Sequence, residues 1–162
     1  MGFGLYFMRL ASQDVVHPDL HRLAAWLEYR GLHVAPSNDS THHLAGPDGQ
    51  LSFDGHWTDL HLDPLDQEEP VTGGIWHATL SRAECEFIYA LCLVGRMLIV
   101  NPQGPPTYIV PERNHRRADL PSSGDDDIAW VNNADELAQA LTGNFAAFLE
   151  YRNQVVGGSE ET

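Results

Sequence analysis

The apolar positions of this chain come in short runs whose period switches between two and 3.6, as strands and helices in alternation require. Residues 2–10 (GFGLYFMRL) alternate, with Leu5 and Phe7 on one face and Tyr6 and Met8 on the other, which predicts a strand. Ser12-Gln13-Asp14 breaks the pattern. Pro18 then stands in the first turn of a predicted helix whose apolar face is Leu20, Leu23, Ala24 and Leu27, with Gly31 as its terminating glycine. Residues 32–35 (LHVA) read as a second strand, so the opening of the chain resembles a βαβ-like unit.

Residues 42–45 predict a short strand that turns at Asp48-Gly49. Leu51, Phe53 and Trp57 next share one phase while Leu60 and Leu62 take the other, which places a bulge or a second tight turn at Asp54-Gly55. The stretch from 73 to 111 organises the rest. Gly73-Gly74 opens a strand, Ser81 caps a helix with Glu84 at the capping-box position, and Gly95 ends it. Within that helix, residues 87–94 (FIYALCLV) carry no polar group except the Tyr89 hydroxyl. A helix that is apolar all round must be covered on every side, so this one is the predicted packing centre. Its apolar run is far shorter than the ~20 residues that span a bilayer. A hairpin follows, residues 97–100 returning as 107–110 through a proline-rich turn.

Residues 112–127 read as a long surface loop, first basic (Arg113, His115, Arg116, Arg117) and then acidic, the arginines being expected to pair with Asp119 or with Asp125, Asp126 and Asp127. A strand at 128–131 leads to a helix capped by Asn133 with Glu136 three residues on; Gly143 interrupts it and Asn144 caps a last helix carrying Phe145, Phe148 and Leu149. The pattern predicts one α+β domain over residues 1–156, a mostly antiparallel sheet packed around the central buried helix with flanking helices, and a flexible tail at 157–162 (GGSEET).

Charge narrows the function. Formal net charge is −14, and all nine positive side chains are arginine. Such a surface repels phosphate backbones, which argues against nucleic acid as the partner and for a basic protein instead. The N-terminal stretch MGFGLYFMRL has no basic region ahead of its short apolar run, so no secretory signal is read and a cytoplasmic location is expected. Cys85 and Cys92 lie seven residues apart on one helix, about 10.5 Å between Cα atoms at ~1.5 Å per residue. That exceeds the ~7 Å limit of a disulfide, so both read as buried thiols of a reducing compartment.

Candidate chemistry is sparse. His56, Asp59, His61 and Asp63, with Asp54 nearby and His42 and His43 on the neighbouring strand, have metal-ligand residue types, and support an alternative reading as a small metal-dependent hydrolase. No HExxH, CxxC, GxSxG or phosphate-cradling glycine motif accompanies them, so no metal, cofactor or catalytic residue is assigned and the chain is read as not an enzyme. The segment 48–69 is more distinctive. It holds seven acids (Asp48, Asp54, Asp59, Asp63, Asp66, Glu68, Glu69) around Trp57 and no Lys or Arg. An aromatic ringed by carboxylates is the composition of a patch that grips a basic protein, and these eight residues are the candidate partner-binding set.

Three stretches, LYFMRL at the start, the hairpin sequence MLIVNPQGPPTYIVP, and AWVNNADELAQAL with FAAFLEYR near the end, resemble small acidic bacterial immunity proteins that neutralise toxins. The resemblance is one of size, charge and texture over most of the chain. It implies stoichiometric inhibition: an acidic surface occluding the active groove of a basic toxin, a nuclease being one candidate class, in the producing cell. A non-catalytic adaptor domain is the further alternative.

Overall fold

Alternation in the first strand sets the sheet. In the computed structural model, which describes residues 2–36, 42–47, 49–121 and 125–160, β1 (Leu5–Ala11) buries Leu5 and Phe7 on one face and turns Tyr6 to the other. The elements that follow are β2 (Asp14–Val16), α1 (Leu20–Tyr29), β3 (His33–Pro36), β4 (His42–Gly46), β5 (Gly49–Gln50), β6 (Ser52–Phe53), β7 (His56–Trp57), β8 (His61–Leu62), β9 (Gly73–Ile75), α2 (Arg82–Gly95), β10 (Leu98–Val100), β11 (Tyr108–Pro111), β12 (Ile128–Val131) and α3 (Ala134–Glu160). The main sheet runs β12-β11-β10-β1-β9-β8-β4-β3, with β2 added to β1 and β5 to β4. Every pairing in it is antiparallel except β11 with β12. The chain is an α+β fold. Among the described residues no helix is long and apolar enough to cross a membrane.

The predicted packing centre is found where the sequence puts it. α2 lies on β1, β10 and β11, and both α1 and α3 pack against it. Phe87, Ile88, Leu91 and Cys92 meet Leu5, Phe7, Leu62, Ile75, Ile99 and Ile109 of the sheet in one core. Ser81 accepts from Glu84 N–H, and the Glu84 carboxylate returns to the N–H groups of Thr79 and Leu80 at 2.9 and 2.7 Å. Glu84 is buried, which raises its pKa, and these hydrogen bonds oppose that rise.

Several expectations are corrected. The two strands around α1 do not adjoin: β1 and β3 run parallel, but β9, β8 and β4 lie between them. α1 starts at Leu20 with Asp19 as its N-cap, so Pro18 precedes the helix. Gly31, at φ 69°, ends it as foreseen, Gly31 and Leu32 donating to the carbonyls of Glu28 and Leu27. At the end of α2 the left-handed residue is Arg96 (φ 56°, ψ 44°), not Gly95. Gly95 is instead a packing site, where a Cβ would come within 3.1 Å of Leu23. Ser12 and Gln13 (φ 51° and 72°) close an unforeseen hairpin between β1 and β2.

α3 passes through Gly143 without interruption and reaches Glu160, and Asn144 caps nothing; its amide bonds Asn101 and Gln103 in the proline-rich turn. A Cβ at Gly143 would meet nothing within 4 Å. Gly143→Ala is therefore expected to stabilise the protein by about 0.5–1 kcal/mol, the usual helix-interior difference, visible as a raised midpoint of denaturant unfolding.

The described part of the stretch 112–127 is not a free loop. It straps the face of the sheet opposite the helices, where Leu120 joins Leu10, Leu98, Val110 and Ile128 in a second small core. Asp119 ties it down, accepting from the N–H groups of Ser12 and Arg116 at 3.1 Å each, which holds its carboxyl below the usual range. Arg116 pairs with Asp119 at 3.7 Å as expected, whereas Arg113 lies over the Trp130 ring, 5.7 Å from its centroid.

Candidate functional site

The acidic stretch is shaped by one turn. Asp54 (φ 54°) and Gly55 (φ 80°) both take left-handed backbone, the combination that closes a two-residue hairpin, and join β6 to β7. Such a turn pairs Ser52 with Trp57 and Phe53 with His56, so Phe53 and Trp57 fall on opposite faces of the ribbon rather than sharing one. Phe53 turns inward, its ring 5.2 Å from that of Phe87. Trp57 turns outward and is 68% exposed, with Asp54 and His56 exposed beside it.

The other acids divide by role. Asp59 accepts from the backbone N–H groups of Trp76 and His77 at 3.1 and 3.2 Å and contacts His77 Nδ1 at 2.5 Å. Asp63 accepts from Thr72 N–H at 2.9 Å, from the Thr72 hydroxyl and from the Gln67 amide. Both carboxylates are spent on shaping the backbone. Asp66, Glu68 and Glu69 are exposed on the loop between β8 and β9. That loop is pinned from outside by His17, which accepts from Val71 N–H through Nδ1 and donates through Nε2 to the Glu68 carbonyl. Asp48 lies outside the described residues. Of the eight candidate residues, Asp54 and Trp57 thus share the hairpin, and Asp66, Glu68 and Glu69 share a second loop.

The alternative metal set does not converge. His56 sits on the hairpin, Asp59 is turned to the Trp76–His77 backbone and Asp63 to Thr72, and among the described residues no three of His, Cys, Asp or Glu could hold a metal ion. Cys85 and Cys92 are free and buried; burial pushes the Cys85 thiol up to about 12 and the Cys92 thiol up as well, so neither offers a thiolate.

A second feature escaped the sequence reading. The strap covers only half of the sheet's outer face. On the other half, one row of paired positions runs Ala35, His43, His61, Gly74, Tyr6. The His61 ring stacks on Trp76, centroids 4.4 Å apart at 26°, in the space left by Gly74, and burial lowers its pKa. Tyr6 and Trp76 remain partly exposed there. Alternation already set Tyr6 opposite Leu5 and Phe7; what no local signal showed was which strands would lie beside β1.

Compared with protein families, curated proteins and solved structures, the chain matches none.

Proposed function

We propose that this chain is an immunity-type inhibitor: it binds a basic protein toxin, a nuclease being one candidate class, and occludes its cationic groove in the cytoplasm of the producing cell. The observation that carries the reading is Trp57, held out into solvent on a tight hairpin within a stretch of seven acids that has no Lys or Arg. An exposed indole is a large, rigid anchor whose ordering costs little, and carboxylates around it steer and select a cationic surface. Asp54 beside it, and Asp66, Glu68 and Glu69 on the loop between β8 and β9, present unburied charge that mimics a phosphate backbone. Among the described residues Trp57 packs into no core cluster, so the indole is not needed to hold the fold.

Trp57→Ala is accordingly expected to weaken partner binding by about 2 kcal/mol, roughly thirtyfold, while leaving the unfolding midpoint unchanged. The test of function is direct: the product of the adjacent gene is made with and without one equivalent of this protein, and its activity is assayed. Stoichiometric loss of that activity supports the reading; full activity in excess of this protein overturns it.

A further inference from the structure

Among the described residues α1 and β3 are the outer members of their layers: β3 ends the sheet, and α2 is the helix against which α1 packs. The wedge between the helix layer and the sheet therefore opens to solvent at this edge, as a groove of about 560 Å³ closed at one end by the loop at 64–66. Leu27, Leu32, Val34 and Leu65 line it with His33 and His42, and the exposed carboxylates of Glu28 and Asp66 border it. Neither carboxylate has a hydrogen-bond or ion-pair partner among the described residues, and no Lys or Arg lines the groove. No residue of the Trp57 hairpin lines it either.

We propose that this groove is a second docking site, seating an extended segment of the basic partner in which a lysine or arginine is flanked by aliphatic or aromatic side chains. The volume lies within the ordinary range of ligand pockets, about 300–1,000 Å³, and is wide enough for the apolar side chains of such a segment. The two unpaired carboxylates at the rim complement its charge and disfavour an acidic one. Among the described residues the edge of β3 has no neighbouring strand in the sheet, so the backbone of an extended segment has main-chain groups to meet there. The inference rests on the basic partner proposed above, and adds to it a concave contact distinct from the exposed indole.

The experiment needs no partner in hand. The full-length protein, with labelled methyl groups, is titrated with a synthetic peptide alternating lysine and leucine, and with a control alternating glutamate and leucine, each followed by NMR. The expected result is a saturable single site for the lysine peptide, with the largest methyl shifts at Leu27, Leu32, Val34 and Leu65 and none at saturation of the control. Glu28→Gln with Asp66→Asn, two exposed changes, should weaken binding about tenfold; Ala24→Trp, which fills the groove from an exposed helix position, should remove it; Trp57→Ala should leave it within twofold. Shifts centred elsewhere, equal binding of the glutamate peptide, or unchanged binding to Ala24→Trp would overturn the proposal. Those outcomes leave the toxin-inhibition reading standing, because that reading fails on the adjacent gene product's activity and not on this peptide.

Discussion

His115→Ala is expected to lower the free energy of unfolding by about 3 kcal/mol, the cost of an unsatisfied buried N–H together with the cavity left by the ring. His115 is 4% exposed and closes a proton chain that admits one state only. Asn114 donates its amide to the Met97 carbonyl at 2.8 Å, so its Oδ1 is free to accept from His115 Nδ1 at 2.7 Å. The other ring nitrogen, Nε2, accepts from Leu10 N–H at 3.0 Å. A proton on Nε2 would set a donor against a donor. Burial agrees with the geometry and takes the pKa from 6.5 down to about 4; Arg9 lowers it further and Asp119 opposes the change.

The sign follows from the protons bound. Between pH 6.5 and about 4 the unfolded chain is protonated at His115 and the folded chain is not, so acid favours unfolding. The contribution is whole above 6.5 and is lost as the pH falls to about 4, a total of about 3 kcal/mol at 1.36 kcal/mol per unit. Denaturant unfolding measured at intervals from pH 7.5 to 4.5 should show this decline. His115→Gln, whose amide oxygen can take the Leu10 N–H, should lose less stability than His115→Ala and flatten the slope. An equal slope in His115→Gln would place the acid sensitivity elsewhere, His61 being the next group with a lowered pKa.

Gly74→Val is expected to cost about 3 kcal/mol, at the upper end of overpacking penalties. At Gly73 and Gly74, β9 is threaded between β1 and β8 with no room for a side chain on either face. A Cβ at Gly73 would stand 2.7 Å from the His61 carbonyl oxygen, and one at Gly74 would stand 2.7 Å from the Leu5 carbonyl oxygen. Both obstacles are backbone, which cannot swing aside as a side chain can. The Gly74 Cβ would also press the His61 ring at 3.0 Å, so the stack with Trp76 should be lost at the same time. The unfolding midpoint and the near-ultraviolet circular dichroism, which reports the Trp76 environment, check the two effects separately.

The physics of local pattern explains why some of this was legible. Period-2 alternation in β1, the Ser81–Glu84 capping box and the all-round apolar run of α2 are local signals, and each element forms where its residues put it. The misreadings come from information that is not local. Ser12-Gln13 forms a tight hairpin without the Asn-Gly or Asp-Gly signature, because Asp119, more than a hundred residues away, accepts from the Ser12 N–H. Residues 112–127 look like loop because their one strong apolar anchor, Leu120, and the buried His115 have no period; the face they cover exists only once β10, β11 and β12 are assembled. Gly143 has the propensity of a helix break, and the packing of α3 on α2 and β12 overrides it. In the candidate site, the acid-rich composition was legible but its division was not. The two-residue turn at Asp54-Gly55 reverses the face of Trp57, and the backbone N–H groups that claim Asp59 and Asp63 come from residues nine to eighteen positions further on.

The proposed function turns on Trp57 and the free acids, and one measurement addresses it most directly: calorimetric titration of the adjacent gene's product with the wild-type protein, Trp57→Ala and Asp54→Asn, at low and at high salt. The expected result is a one-to-one complex, weakened about thirtyfold by Trp57→Ala and weakened by salt through a slope that Asp54→Asn reduces. Binding that is indifferent to salt and to both substitutions, or no binding at all, would contradict it.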